Sequence, residues 1–324
     1  MRIAFFGTPA FAVPTLQALF ESRHEVVLVV TQPDRPRGRG QRVSPGPVKA
    51  LAIARGVPVL QPATLTRDPW EPAIAAHAPD LGVVAAYGKI LPDWLLAVPP
   101  RGLINVHASL LPRYRGASPI HRAVMNGDPE TGVTIMRVVK ALDAGAMLAS
   151  DTVPIGPDDR TDQVEVVLAD RGARLLIQTV DRLALGPVPE TPQDDALVTY
   201  APRLARDEGL VDWGRSAWAI HNQIRALHPW PHAFTFGPRG RLILHRSRVE
   251  DAAGRFDDGA ETSSLRTPSP GTVLAAIAPD AIRVATGHGV LHVLELQAEG
   301  GKVLPARVFL AGHPLAAGDQ LRSS

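Results

Sequence analysis

Four short apolar runs do most to limit what this chain can fold into. They are Ile3-Ala4-Phe5-Phe6, Val26-Val27-Leu28-Val29-Val30, Leu81-Gly82-Val83-Val84-Ala85-Ala86, and Leu103-Ile104 leading into Asn105-Val106-His107. They lack a strict apolar–polar alternation, so each reads as a strand buried on both faces, as in a parallel sheet covered by helices. A helix-like stretch, residues 11–20, separates the first two runs, and another at 47–55 precedes a short strand near 58–60. This is the opening of a doubly wound, Rossmann-like α/β domain. Gly7 stands alone at the first turn, so the three-glycine dinucleotide fingerprint is missing and no NAD site is expected. Ligands of open α/β sheets bind beyond the carboxyl ends of the strands. The segments Tyr87–Leu91 and Asn105–His107 therefore face one crevice.

The pattern breaks at residues 32–49, where Gly and Pro forbid a regular element. This loop carries Arg35, Arg37, Arg39, Arg42 and Lys49 against one acid, Asp34. Loops between strands and helices usually span about two to six residues, so one this long is a solvated excursion or a functional arm. Arginines on such an arm would meet phosphates. The chain's net charge of +2 gives weak support for a nucleic-acid partner, and local clusters must decide.

Residues 131–138 and 146–153 read as a hairpin with Asp143 in its turn. Residues 161–185 read as one amphipathic helix, started by Thr161-Asp162 and stopped by Gly186-Pro187. Residues 187–206, rich in Pro, Asp and Thr, read as a linker between a domain at 1–186 and another at 207–324. In the second, Ala217, Ile220, Ile224 and Leu227 recur at helical spacing before His228-Pro229-Trp230-Pro231. Strands are expected at 233–236, 241–248, 271–277, 281–286, 290–296 and 307–310, a small OB-like β-barrel. Residues 251–270 are expected to be a mobile loop.

Hydrophobic residues are 45% and charged residues 20% of the 324, a globular composition. No apolar run approaches the roughly 20 residues of a membrane span. The first run breaks at Gly7-Thr8-Pro9 without a small-residue cleavage site, so it reads as a strand rather than a signal peptide. There is no cysteine, which excludes thiol catalysis and thiolate metal sites and fits a reducing, cytoplasmic setting.

Asn105 and His107 are two apart and point to one side of a strand. An amide and an imidazole there can hold a developing oxyanion, and a carboxylate can orient the ring or take a proton. Each residue alone has an ordinary alternative: a packed histidine, a turn-capping amide, an Asx turn at Asp143. Together they outline an oxyanion and proton-transfer site. No HExxH occurs and seven of the eleven histidines lie scattered after residue 200, so no metal site is expected. Ser109 lacks the glycine flanks of a hydrolase nucleophile elbow.

The runs Asn105–Pro112, Arg115-Gly116, Pro119-Ile120, Thr131-Gly132-Val133-Thr134 and Leu142-Asp143-Ala144-Gly145 resemble the formyltransferases that use 10-formyltetrahydrofolate. The resemblance implies that Asn105, His107 and Asp143 are the catalytic trio. It implies that Tyr87, Gly88, Ile90 and Leu91, with Ser109, Leu110, Leu111 and Pro112, hold tetrahydrofolate. Three further features are similar to the branch whose acceptor is initiator methionyl-tRNA. They are Thr31–Gly40; Asp212-Trp213 with Ile220-His221-Asn222 and Pro229-Trp230-Pro231; and Val284-Ala285-Thr286-Gly287 with Glu295-Leu296-Gln297. On this resemblance Arg35, Arg37, Arg39, Arg42 and Lys49 contact tRNA, the barrel assists, and the protein works as a cytoplasmic monomer. His232 departs from the resemblance, which has glycine there.

Overall fold

The apolar runs become the centre of a seven-stranded sheet in the computed structural model, which describes residues 1–37, 42–250, 268–278 and 280–323. The described chain divides into two units. One comprises Met1–Ile120, Glu130–Pro154 and Val164–Pro202; the other comprises His121–Pro129, Ile155–Gln163 and Arg203–Ser324.

The elements follow in order as β1 (Arg2–Gly7), α1 (Val13–Glu21), β2 (Glu25–Val30), the two-residue strands β3 (Pro36–Arg37) and β4 (Arg42–Val43), α2 (Pro47–Ala54), β5 (Val59–Leu60), α3 (Arg67–Ala75) and β6 (Leu81–Ala85). Then come α4 (Asp93–Leu96), β7 (Leu103–His107), β8 (Arg115–Gly116), α5 (Pro119–Asn126), β9 (Glu130–Arg137), β10 (Met147–Pro154), α6 (Thr161–Leu185) and β11 (Tyr200–Ala201). The large sheet has the order β10-β9-β7-β6-β1-β2-β5. Strands β5, β2, β1, β6 and β7 are parallel, and β9 and β10 are antiparallel. The chain winds outward from β1 through β2 to β5, then returns to β6 on the other side of β1. That reversal is the switch point at which such sheets open a crevice. The β6–β7 register pairs Val84 with Asn105, so the ends of these two strands lie side by side.

One face of the sheet buries Ala4, Phe6, Leu28, Val30 and Tyr87 against Ile74 and Leu95. On the other face α6 comes very close. A Cβ at Gly172 would stand 2.8 Å from Val106 Cγ1 and 3.2 Å from Val133 Cγ1, so a larger residue would push the helix off β7 and β9. Residues 187–206, expected as a plain linker, carry a 3-10 turn at Asp195–Leu197 and strand β11, which pairs with β8. Their polar composition hides this, because the pairing is with a distant segment.

The second unit contains α7 (Ala217–Ala226), β12 (Ala233–Gly237), β13 (Gly240–Val249), β14 (Val273–Ala278), β15 (Ala281–Ala285), β16 (Val290–Ala298), β17 (Leu304–Pro305) and α8 (Ala306–Gly312). Its antiparallel sheet has the order β12-β13-β16-β15-β14, with β17 on β16. The C-terminal segment reaches both outer strands. Leu321 N donates to Gly271 O beside β14 at 2.9 Å, and Phe236 N of β12 donates to Arg322 O at 3.0 Å. The expected barrel thus takes the form of a curled half-barrel whose open side is bridged by the chain end. The strand expected at 307–310 is instead part of α8. Ala306 and Phe309 are buried three residues apart, a helical spacing that a short apolar run does not distinguish from a strand. Residues 251–267, most of the expected mobile loop, lie outside the described residues.

Helix α7 fills the half-barrel with Ala217, Ile220 and Ile224, which join Leu244, Val284, Leu291 and Leu296 in one cluster. Ser216 caps it, its hydroxyl accepting from Ala219 N at 3.2 Å. Ile220→Ala is expected to destabilise this unit by about 2–5 kcal/mol. Urea unfolding followed by tryptophan fluorescence, with Trp213 in the same cluster, measures it.

Candidate active site

His107 ends β7, pairs with Thr134 of β9, and is 5% exposed. Its Nε2 lies 3.0 Å from the carbonyl oxygen of Tyr114. A carbonyl only accepts, so Nε2 carries a proton. The other ring nitrogen, Nδ1, faces Oδ2 of Asp143 at 3.7 Å. Asn105, two residues earlier on the same strand, is half-buried and pairs with Val84 and Met136. Strand geometry puts its amide on the side of His107.

Asp143 lies between β9 and β10 with φ of 46°, a left-handed conformation that Asp tolerates better than most residues. Three bonds keep it there. Gly116 N donates to its Oδ2 at 2.8 Å. Gln193 Nε2 donates to the carbonyl oxygens of Asp143 and Gly145, both at 2.8 Å. Gly145 permits a tight approach, since a Cβ there would lie 1.8 Å from Arg137 O. Gly116 has φ of +122° and would place a Cβ 2.8 Å from Ala201 O, so β8 can pair with β11 only with glycine at this position. The buried guanidinium of Arg115 donates to Gln193 Oε1 at 2.9 Å.

The loop leaving β7 is fixed from below. Thr134 Oγ1 donates to Ser109 O at 2.7 Å and accepts from Leu111 N at 3.2 Å. Ser109 is fully buried and its hydroxyl donates to Arg113 O at 2.7 Å, so it shapes the loop. Leu111 is buried, while Leu110 and Pro112 are half-buried. Tyr87 is 2% exposed and packs edge-on against Phe6 in the core. Burial pushes its phenol up to about 12, which keeps it neutral. Its carbonyl accepts from Gln32 Nε2 at 2.8 Å and Thr8 Oγ1 at 3.3 Å. A Cβ at Gly88 would meet Gln32 Nε2 at 2.7 Å. Ile90 is 87% exposed and Leu142, next to Asp143, is also exposed, and Leu91 is partly buried. Exposed apolar side chains on segments leading from strand ends suit the flat face of a heterocyclic ligand.

In the basic loop Arg35 is exposed. Arg37 and Arg42 pair through their backbones as β3 and β4, and Arg39 lies outside the described residues. Lys49 is engaged at the loop's base: its ammonium donates to Asp34 Oδ2 and, at 2.6 Å, to Gln61 Oε1. The hydrogen bond from Lys49 holds the Asp34 carboxyl below the usual range.

Comparison with known proteins decides the lineage. The pattern described as formyl transferase matches residues 1–180, and that described as formyl transferase, C-terminal domain, matches residues 203–314. The methionyl-tRNA formyltransferase of Trichlorobacter lovleyi is 47% identical over 320 residues, covering 99% of this chain and 96% of that one. The protein of the same name from Methylobacillus flagellatus is 46% identical, covering 100% of both. The chain belongs to the methionyl-tRNA branch of the formyl transferase family. Two solved structures share the fold at lower identity. HypX from Aquifex aeolicus, in complex with tetrahydrofolic acid, has a TM-score of 0.62 at 18% identity, over 98% of this chain and 48% of that one. An N-formyltransferase from Helicobacter canadensis, with folinic acid and dTDP-3-aminofucose, has 0.64 at 16%, over 90% and 98%.

In this formyl transferase the sequence reading missed the groups that hold the candidate residues: the Tyr114 carbonyl, the Gly116 N–H, Thr134 and Gln193. Thr131–Thr134 and Arg115-Gly116 stood within the quoted motif, but Gln193 lay in a stretch read as linker. Gln193→Ala removes both donors that hold the Asp143 turn. Displacement by about 1 Å can cost on the order of 10²-fold in rate. The variant is expected to lose that order in kcat while circular dichroism and the unfolding midpoint stay near those of the wild type.

Proposed function

We propose that this chain transfers the formyl group of 10-formyltetrahydrofolate to the α-amino group of methionine on initiator methionyl-tRNA. The observation that carries the reading is the approach of His107 and Asp143 to 3.7 Å, on a strand that also presents Asn105. The full-length similarity to methionyl-tRNA formyltransferases supports the acceptor.

The residues divide the work as follows. Nε2–H of His107 is committed to Tyr114 O. The ring can therefore donate to the formyl oxygen only through Nδ1–H, as the imidazolium. The Asp143 carboxylate faces Nδ1 at 3.7 Å, and the Asn105 amide supplies a second donor. The unprotonated amine forms the new C–N bond as the carbonyl π pair moves onto oxygen. These two donors stabilise the oxyanion most when its charge is fullest. Asp143 receives the proton shed by the amine; the oxyanion's electron pair then re-forms the carbonyl as the bond from the formyl carbon to N10 breaks, and the proton held by Asp143 passes to N10. Tyr87–Leu91 and Ser109–Pro112 border the folate: Ile90, Leu110 and Pro112 offer apolar surface, and buried Ser109 and Leu111 set the backbone.

The basic loop is the arm that meets the acceptor end of the tRNA. Arg35, Arg37, Arg39 and Arg42 supply charge to phosphates, and Lys49, held by Asp34, anchors the arm's base. The C-terminal half-barrel, read as OB-like, is the second tRNA surface. Residues 1–186 form the catalytic domain, 187–206 the connection and 207–324 the tRNA-binding domain. The protein acts in the cytoplasm as a monomer. Among the described residues no helix is long and apolar enough to cross a membrane.

Labelled formyl should pass from 10-formyltetrahydrofolate to methionyl initiator tRNA and not to an amino sugar nucleotide; the reverse preference would replace the acceptor. His107→Ala and Asp143→Ala should each fold normally and lose about 10²–10³ in kcat. Near-wild-type turnover in either removes that residue from the chemistry. Arg39→Ala should raise KM for the tRNA and leave folate affinity unchanged. Equal handling of initiator tRNA by mutant and wild type would make the loop a surface excursion.

A further inference from the structure

We propose that His228, His232 and His245 bind one Zn²⁺ in the C-terminal unit, a site separate from the residues that carry formyl transfer. In the sequence these histidines are part of a scattered set, and His228 and His232 flank a Pro-Trp-Pro segment that cannot continue a helix. The fold brings them together. His228 follows α7, His232 precedes β12, and His245 lies on β13. One ring nitrogen from each lies within 4.8 Å of the others. Around Zn²⁺, at roughly 2.0–2.1 Å from each nitrogen, they would stand about 3.4 Å apart. Side-chain rotation on metal binding would have to close that difference.

The ring nitrogens are arranged as a metal site needs. Nδ1 of His228 is buried with no hydrogen-bond partner, which is costly unless something binds it. Its Nε2 faces Oδ2 of Asp162 at 3.6 Å. His245 repeats the scheme, with Nε2 2.9 Å from Gln297 Oε1, an acceptor that leaves Nδ1 free to ligate. Imidazoles that ligate through one nitrogen and donate from the other to a carboxylate or carbonyl are the usual second-layer pattern of zinc sites. Asp162 and Glu295 bring negative charge to this cluster and Arg160 brings positive charge. Three imidazoles with no thiolate available suit Zn²⁺, and three protein ligands leave a fourth position for water.

His232 also has φ of 67°, a conformation that glycine adopts more readily. This makes His232→Gly a decisive variant, because it deletes the ligand and relaxes the backbone. Tag-free chain, stripped with chelator and dialysed against Zn²⁺, should hold one zinc per chain by elemental analysis and unfold at a higher temperature than the stripped form. Calorimetry should show Zn²⁺ binding weakened at least about tenfold in His232→Gly and in His245→Ala, and about 10–100-fold in Gln297→Ala, which removes the orienting acceptor. His288→Ala, at an exposed histidine, should bind as the wild type does. A wild-type chain that retains no zinc overturns the proposal. So does a His232→Gly chain that binds zinc undiminished, since the metal would then sit elsewhere.

Discussion

The carboxylate of Asp143 is held in place by groups far from it in sequence, and the candidate site depends on that restraint. Its own backbone contributes a left-handed turn, a conformation that is unfavourable unless the surroundings fix it. Gly116 holds the side chain, and Gln193 holds the backbone on either side of the turn. Arg115 in turn holds Gln193. The pairing of β8 with β11 keeps Gly116 within reach.

His107 and Asn105 are fixed differently. They belong to β7, inside a sheet whose ladders on both sides set their direction. Under the proposed mechanism the two modes suit different tasks. Groups that hold an oxyanion gain from a rigid frame, because preorganised dipoles need no rearrangement as charge develops. The Asp143 carboxylate, proposed to carry a proton, sits in a turn with 17% of its side chain exposed. The Tyr114 carbonyl adds a further constraint by occupying Nε2, so His107 can serve a ligand only through the nitrogen that Asp143 faces.

Much of this was legible from the residues. The uninterrupted apolar runs implied a parallel sheet, and the observed order with its switch between β1 and β6 agrees. The helix expected at 161–185 appears with those bounds, because an amphipathic period with a capping start and a Gly-Pro stop is local information. The hairpin around Asp143 also had local signals. Local rules failed where a partner is distant. Val308-Phe309-Leu310 reads equally as strand or helix until Phe309 finds the half-barrel core. The motif around Tyr87 does not say where its ring goes, and the structure packs the ring against Phe6 while its carbonyl accepts from Gln32 and Thr8.

The sequence by itself determined the class of fold and the chemical types available for a site, because burial period, turn residues and side-chain chemistry are properties of neighbouring residues. Tertiary structure alone decided which nitrogen of His107 meets Asp143, which side chain steadies the turn, and that three histidines spread over 18 positions meet in one cluster. Those facts depend on separations in space of a few ångströms between residues that are not neighbours in the sequence, and no local pattern encodes such a distance.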